Sequence, residues 1–159
     1  MPNREALKAA KSQALKYLSY RDRSEEELNK FLKKKGHKAS IIQSILPDLI
    51  NLNYINDKRF AMAWGKSRIE RKRFGKERVR QELSAKGVSH QIIESTLNTL
   101  YDSFPERDLA KTCADKKLAS LQGLEPEKKL RRLVQYLKRR GFSADIIYET
   151  TRPPGGTID

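Results

Sequence analysis

Three glycines, Gly36, Gly87 and Gly141, bring the rest of this sequence into register. With the glycines superposed, "EELNKFLKKKGHKASIIQSIL", "ERVRQELSAKGVSHQIIESTL" and "KLRRLVQYLKRRGFSADIIYETT" run in parallel. Four positions before each glycine stands a leucine, Leu32, Leu83 or Leu137, and eight before it an aliphatic, Leu28, Val79 or Leu133. Five and six positions after it come paired isoleucines: Ile41 with Ile42, Ile92 with Ile93, Ile146 with Ile147. The glycines are 51 and then 54 residues apart. Coincidence at this many offsets marks a threefold internal repeat.

Each repeat reads as helix, glycine stop, helix. Aliphatics at i and i+4 give one apolar stripe before the glycine. The glycine supplies a left-handed stop that other residues adopt only at a cost. Cations such as Lys33, Lys34 and Lys35 suit the negative end of the helix dipole there. Ser89 and Ser143 stand as N-caps of the helices that follow, and Ser24 with Glu27 matches a capping box. A longer helical segment leads each repeat, over 4–20, 57–73 and 106–119, with Asn56 and Pro105 as start signals. Pro47 falls inside the last helix of the first repeat, where it must kink or end it. In the leading helix from Asp57, Phe60, Ala63, Trp64 and Ser67 share one face, with Met62 and Ile69 nearly opposite; two apolar sides place such a helix between neighbours. No strand pattern of any length occurs. The expected fold is all-α: tandem three-helix repeats over 1–52, 53–102 and 103–151, forming an elongated curved molecule, with a disordered tail over 152–159.

Charge narrows the function. Of 159 residues, 34 are Lys or Arg against 20 Asp or Glu, a formal net charge of +14 that favours a polyanionic partner. No run approaches the roughly 20 apolar residues of a spanning helix, and the first residues do not read as a signal peptide. A single cysteine, Cys113, forbids an intrachain disulfide and fits a reducing cytoplasm. An enzyme is hard to build. His37 and His90 fall in separate repeats as solvent-exposed loop residues, and no metal-ligand spacing or phosphate loop occurs. Cys113 reads as a packed residue, and the carboxylates sit among cations as solvated ion pairs. Trp64 offers a surface for stacking on a base, but its spacing with Phe60 and Ala63 points to core packing.

The cations are distributed unequally. "RIERKRFGKERVRQELSAKGV" holds Arg68, Arg71, Lys72, Arg73, Lys76, Arg78, Arg80 and Lys86. Arg78 and Arg80 diverge by about 160° at roughly 100° per residue, so they cannot meet one phosphate row. In the segment 127–139, Leu130, Leu133, Val134 and Leu137 form the apolar face, while Lys128, Arg131, Arg132 and Arg139 cover the other side, with Arg140 following. The first repeat mixes Glu26 and Glu27 with Lys30, Lys33 and Lys34.

"YLSYRDRSEEELNKFLKKKG", "NYINDKRFA" and "RFGKERVRQELSAKGV", in this order and spacing, resemble successive signatures of the RecX family, small regulators of the bacterial recombinase RecA. The resemblance is strong over 14–100 and continues more weakly through "RRLVQYLKRRGFSADII". It implies tandem three-helix repeats, no cofactor, and binding to the RecA filament on single-stranded DNA. There the protein would lie in the filament groove across neighbouring protomers. Recombinase, ATPase and co-protease activity would be inhibited by blocked extension or by disassembly. The positions carried over are Arg21, Arg23, Asp57, Arg59, Arg68, Gly75, Arg78, Glu82, Lys86 and Gly87, with Gly75 and Gly87 as turns and Glu82 as an ion-pair partner.

The expectation is therefore a non-enzymatic, monomeric RecA regulator, with weak, salt-sensitive affinity for single- and double-stranded DNA and no membrane association. The alternative is a non-specific DNA-binding protein that acts without RecA. A helix-turn-helix reader is disfavoured because "SHQIIESTL" and "SADIIYETT" lack base-contacting cations.

Overall fold

A computed structural model of the protein describes residues 3–152. The expected tail therefore lies, apart from Arg152, outside the described residues. Secondary structure within them is entirely helical: α1 (Arg4–Tyr20), α2 (Glu25–Lys34), α3 (Ala39–Asn51), α4 (Asp57–Lys72), α5 (Lys76–Ala85), α6 (His90–Ser103), α7 (Glu106–Ser120), α8 (Pro126–Arg139) and α9 (Ala144–Thr151). The start signals act as read. The Ser24 hydroxyl accepts from the Glu27 amide at 3.1 Å while the Glu27 carboxylate accepts from the Ser24 amide at 3.2 Å, a complete capping box. Asn56, Ser89 and Ser143 accept from the amides three residues on. Helix α3 continues through Pro47 rather than ending there.

The repeat is visible in the hydrogen bonds. Gly36, Gly87 and Gly141 have φ of +92°, +79° and +95°. The residue after each donates its amide to the carbonyl of the repeat's leucine: His37 to Leu32 at 3.1 Å, Val88 to Leu83 at 3.1 Å, Phe142 to Leu137 at 3.2 Å. These are Schellman closures, and they make the glycine-to-leucine spacing a backbone requirement as well as a packing one. Leu28, Val79 and Leu133, the aliphatics eight before the glycines, are buried as well. One core gathers Ala10, Ala14, Leu28, Leu32, Ile42, Ile45 and Leu49; another gathers Ala110, Cys113, Leu133, Leu137, Phe142 and Ile147. Each fully buried Leu or Ile contributes roughly 1.5–3 kcal/mol.

The leading helices carry a repeat signal that the reading by aliphatics missed. Each buries two small residues four apart: Ala10 and Ala14, Ala61 and Gly65, Ala110 and Ala114. In α4 Phe60 and Ile69 are buried on nearly opposite sides, as expected of a helix with two apolar sides, with Ala61 and Gly65 buried between them, while Ala63 is exposed and Trp64 half-buried. The Leu100 side chain packs closely over Gly65: a Cβ there would stand 2.5 Å from its Cδ1.

The chain divides into two compact units. Among the described residues, one comprises 3–64 with Leu83–Thr96, the other Gly65–Glu82 with 97–152. The same joint occurs in each. In the first, the Ser24 hydroxyl at the start of α2 donates to the Lys86 carbonyl at 2.7 Å, and a Cβ on Gly87 would collide with the Glu26 side chain. In the second, the Gly75 amide before α5 donates to the Arg140 carbonyl at 2.8 Å, and the Glu77 amide to the Gly141 carbonyl at 3.1 Å. A helix start thereby meets the carbonyls of a glycine turn one repeat later, through the N-cap hydroxyl in the first unit and through backbone amides in the second.

Gly75 stands in the turn between α4 and α5 as expected, and this joint supplies its reason. The left-handed residue at the end of α4 is Arg73, with φ 52°, and its amide donates to the Ile69 carbonyl at 2.8 Å. Gly75 is required by proximity instead: a Cβ there would lie 2.5 Å from the Gly141 carbonyl oxygen.

Candidate functional site

The basic residues sort by what already neutralises them. In the first unit the capping box holds Glu27 at the start of α2, and three cations converge on it. Arg21 donates to both carboxylate oxygens at 2.6 and 3.3 Å, Lys86 stands at 3.5 Å and Arg23 at 4.0 Å. Burial works to raise the Glu27 carboxyl. The Arg21 hydrogen bond, the Ser24 amide and the charges of Arg21 and Lys86 outweigh it and hold the group below its ordinary range. Aromatic rings complete the cluster. Arg23 lies 4.0 Å over Tyr17, which stacks on Phe31 at 3.9 Å, and Arg21 and Lys86 lie 5.5 and 4.9 Å from the Trp64 ring. Arg59 ties Asp22 at 3.3 Å to the carbonyls of Asn53 and Tyr54. Asp57 accepts from the Glu25 amide at 2.9 Å, and burial leaves its carboxyl above the ordinary range despite that bond.

The second unit repeats the design around Phe74. Arg78 stands 4.8 Å from that ring, and Arg68 and Arg140 each 5.6 Å. Arg68 is bidentate on Glu82 at 2.6 and 3.1 Å, with Arg78 Nε 3.7 Å from the same carboxylate. The Arg140 guanidinium donates to the Lys72 carbonyl at 2.6 Å, and Arg78 to the Arg139 carbonyl at 3.4 Å. Arg140 and Lys117 both approach the Tyr136 ring. The buried Tyr101 hydroxyl fixes the Phe74 carbonyl at 2.6 Å. Arg80 pairs with Glu77, away from this group, as the divergence of Arg78 and Arg80 requires.

A third set is exposed. No ion pair or side-chain hydrogen bond among the described residues involves the side chains of Arg71 and Lys72 in α4 or of Lys128, Arg131, Arg132 and Arg139 in α8, all of them exposed. Along α8, Leu133 and Leu137 are buried and Val134 half-buried, whereas Leu130 remains 48 % exposed. Arg73 and Lys76 are half-buried. The Lys76 amide donates to Glu106 at 3.2 Å, and burial raises the Glu106 carboxyl against that bond and the Lys76 charge.

The sixteen cations singled out from the sequence therefore differ in availability. Arg21, Arg23, Arg59, Arg68 and Lys86 hold the fold together through carboxylates and carbonyls. The exposed cations of α8 can meet phosphate oxygens or a foreign carboxylate without first breaking a contact. Sequence reasoning overlooked Phe74, although its place among arginines in "RKRFGKERVR" was the available signal. His37 is half-buried, with a ring nitrogen 2.7 Å from Gln13, and Cys113 is buried beside the Arg73 carbonyl, its thiol pushed up by burial. No group of acids, histidines and cysteine among the described residues is arranged to hold a metal, and no helix is long and apolar enough to cross a membrane.

Models of the first, second and third three-helix domains of RecX match residues 10–48, 56–97 and 105–150. A regulatory protein RecX of Chlorobaculum tepidum is 34 % identical over 91 % of this chain and 87 % of its own. One of Pelodictyon phaeoclathratiforme is 36 % identical over 87 % and 84 %. The crystal structure of RecX from Lactobacillus salivarius superposes with a TM-score of 0.82 at 28 % identity, over 92 % of this chain and 94 % of that one.

Proposed function

We propose that this chain, which belongs to the RecX family of regulatory proteins, binds the RecA filament on single-stranded DNA and inhibits its recombinase, ATPase and co-protease activities. It would do so without a cofactor, as a monomer in the cytoplasm, lying in the filament groove and blocking extension or favouring disassembly. The observation that carries this reading is the sorting of the cations. Those bound to Glu27 and Glu82 are committed to the fold, while exposed Lys128, Arg131, Arg132 and Arg139 on α8 have no acidic partner among the described residues. Exposed cations of this kind give contacts that are individually weak and salt-sensitive. Several on one chain, engaging neighbouring protomers together, act at high effective concentration. An occupied groove then excludes the strand-exchange partner by volume alone.

The test is a titration into RecA on single-stranded DNA with ATP hydrolysis as the readout. Substoichiometric protein lowers the rate at low salt, and rising salt restores it. Absence of inhibition over a wide concentration range at low salt rejects the proposal.

A second reading, non-specific DNA binding without RecA, is favoured by the same α8 face. It excludes base readout, because α3 and α9 contain neither Arg nor Lys and α6 only His90 as a potential cation. DNA binding without RecA, competed equally by unrelated sequence, is its signature.

A further inference from the structure

The chain contains three glycine turns of one design, and two of them carry a docked helix start. The Lys86 carbonyl, one residue before Gly87, accepts from Ser24 at 2.7 Å; the Arg140 carbonyl, one before Gly141, accepts from the Gly75 amide at 2.8 Å. In both, the space beside the glycine is filled by the docked helix: a Cβ would meet Glu26 at Gly87 and Arg78 at Gly141. The third turn is open. Gly36 has the same backbone, φ +92°, yet a Cβ there meets nothing within 4 Å, and no hydrogen bond among the described residues ends on the Lys35 carbonyl.

We propose that the Gly36 turn is a docking site for the start of a helix in another protein, one that opens on a small residue and carries a carboxylate in its first turn. The size requirement comes from the two filled joints, whose docked helices enter at Ser24 and Gly75. The carboxylate comes from charge. At the first joint Lys86 meets Glu27, the third residue of α2, at 3.5 Å. Lys35 holds the place of Lys86, and Lys33, Lys34 and Lys38 around it are exposed and joined by no ion pair among the described residues.

In a second copy of this chain, the three helices that run into the glycine turns, α2, α5 and α8, do not supply that helix. The starts of α2 and α5 are occupied by the chain's own turns. In α8, which has 14 residues against 10 in α2 and α5, an added N-terminal turn covers the equivalent place: Lys129, twelve residues before Gly141, donates its amide to the Glu125 carbonyl at 2.9 Å. In the function proposed above the foreign helix belongs to a RecA protomer, and the identity of the partner rests on that reading.

Two variants separate the outcomes. Gly36→Asn keeps the left-handed turn, which asparagine tolerates, and fills the space beside it. Lys35→Glu reverses the charge. Each is expected to weaken binding to RecA filaments about tenfold, the loss typical of one desolvated contact, with binding of bare single-stranded DNA unchanged for Gly36→Asn. Filament binding that neither variant alters overturns the docking site and leaves the regulatory reading standing. Absence of filament binding by the unmodified protein overturns the regulatory reading instead. A peptide spanning residues 21–34, the helix start that the Gly87 turn accepts, then decides the inference. Binding of this peptide that Gly36→Asn abolishes supports the site, and no binding overturns it. Self-association of the unmodified protein that Gly36→Asn abolishes overturns the assignment to a foreign helix.

Discussion

Glu27 collects Arg21, Arg23 and Lys86 on a carboxylate whose side chain is only 10 % exposed. Removing its charge leaves three cations without their shared partner, so Glu27→Gln is expected to cost about 2 kcal/mol at pH 7. Its folded pKa lies below the ordinary 4.5. The stabilisation is therefore complete above the ordinary glutamate range and is lost as pH falls through the folded value. Denaturation curves from pH 7 downward should show the cost of Glu27→Gln shrinking in that window; a cost independent of pH contradicts the assignment. Glu106 carries the opposite sign. Its pKa is raised by burial, so protonation favours the folded state, and stability falls as pH rises through the folded value. Gln at this position keeps an acceptor for the Lys76 amide, so Glu106→Gln should cost less than about 1 kcal/mol at pH 7 and flatten the pH profile just above the ordinary glutamate value. At this scale the sequence was legible where the chemistry is local. Ser24 and Glu27 announced their capping box three residues apart. Gly75 stands in the turn between α4 and α5 as expected, but the reason for a glycine there is Gly141, 66 residues away in sequence, and no local pattern encodes a neighbour brought there by folding.

Helices and turns were legible through spacing. The leucine four before each glycine is at once a core residue and the carbonyl acceptor of the Schellman closure, so one offset reports two constraints. The joint between a turn and the preceding helix start has no such offset, and its residues differ: Ser24 and Glu26 at one, Gly75 and Arg78 at the other. The leading helices hid their register for a similar reason. Apolar periodicity favours large residues such as Trp64, whereas α4 buries Ala61 and Gly65 because close approach requires small ones. Paired glycine substitutions measure the joint. Gly36 and Gly141 have nearly the same φ, +92° and +95°, so alanine at either carries the left-handed penalty of about 1 kcal/mol. Only at Gly141 does the new Cβ also stand 2.4 Å from the Arg78 amide nitrogen. Gly141→Ala should therefore lose about 2 kcal/mol more than Gly36→Ala in urea denaturation, the range of an overpacked core. Equal losses would mean that the backbone alone makes these glycines necessary.

For the whole molecule, a net charge of +14 says only that a polyanion is favoured; the distribution of counter-ions says which cations can reach it. That distribution was half legible. The basic face of α8 follows from helical spacing within one segment; the resemblance implied Glu82 as an ion-pair partner, but its pairing with Arg68 spans 14 residues across two helices and emerges from packing. The two classes respond differently to mutation. Arg131 and Arg132 are exposed, so Arg131→Gln with Arg132→Gln should leave stability within about 0.5 kcal/mol of the unmodified protein. If both side chains contact phosphates, the slope of log affinity for single-stranded DNA against log salt becomes shallower by about 1.4, twice the roughly 0.7 per contact of a single strand. Arg68→Gln should do the reverse. It strips Glu82 of its bidentate partner, so its main effect is a loss of about 2 kcal/mol in stability. Its salt slope should change little, because that guanidinium is already engaged. Affinity titrations at four or more salt concentrations, with thermal melts of the same samples, decide the matter. A slope left intact by the α8 pair and reduced by Arg68→Gln would move the polyanion contact from the exposed helix face to the Phe74 cluster.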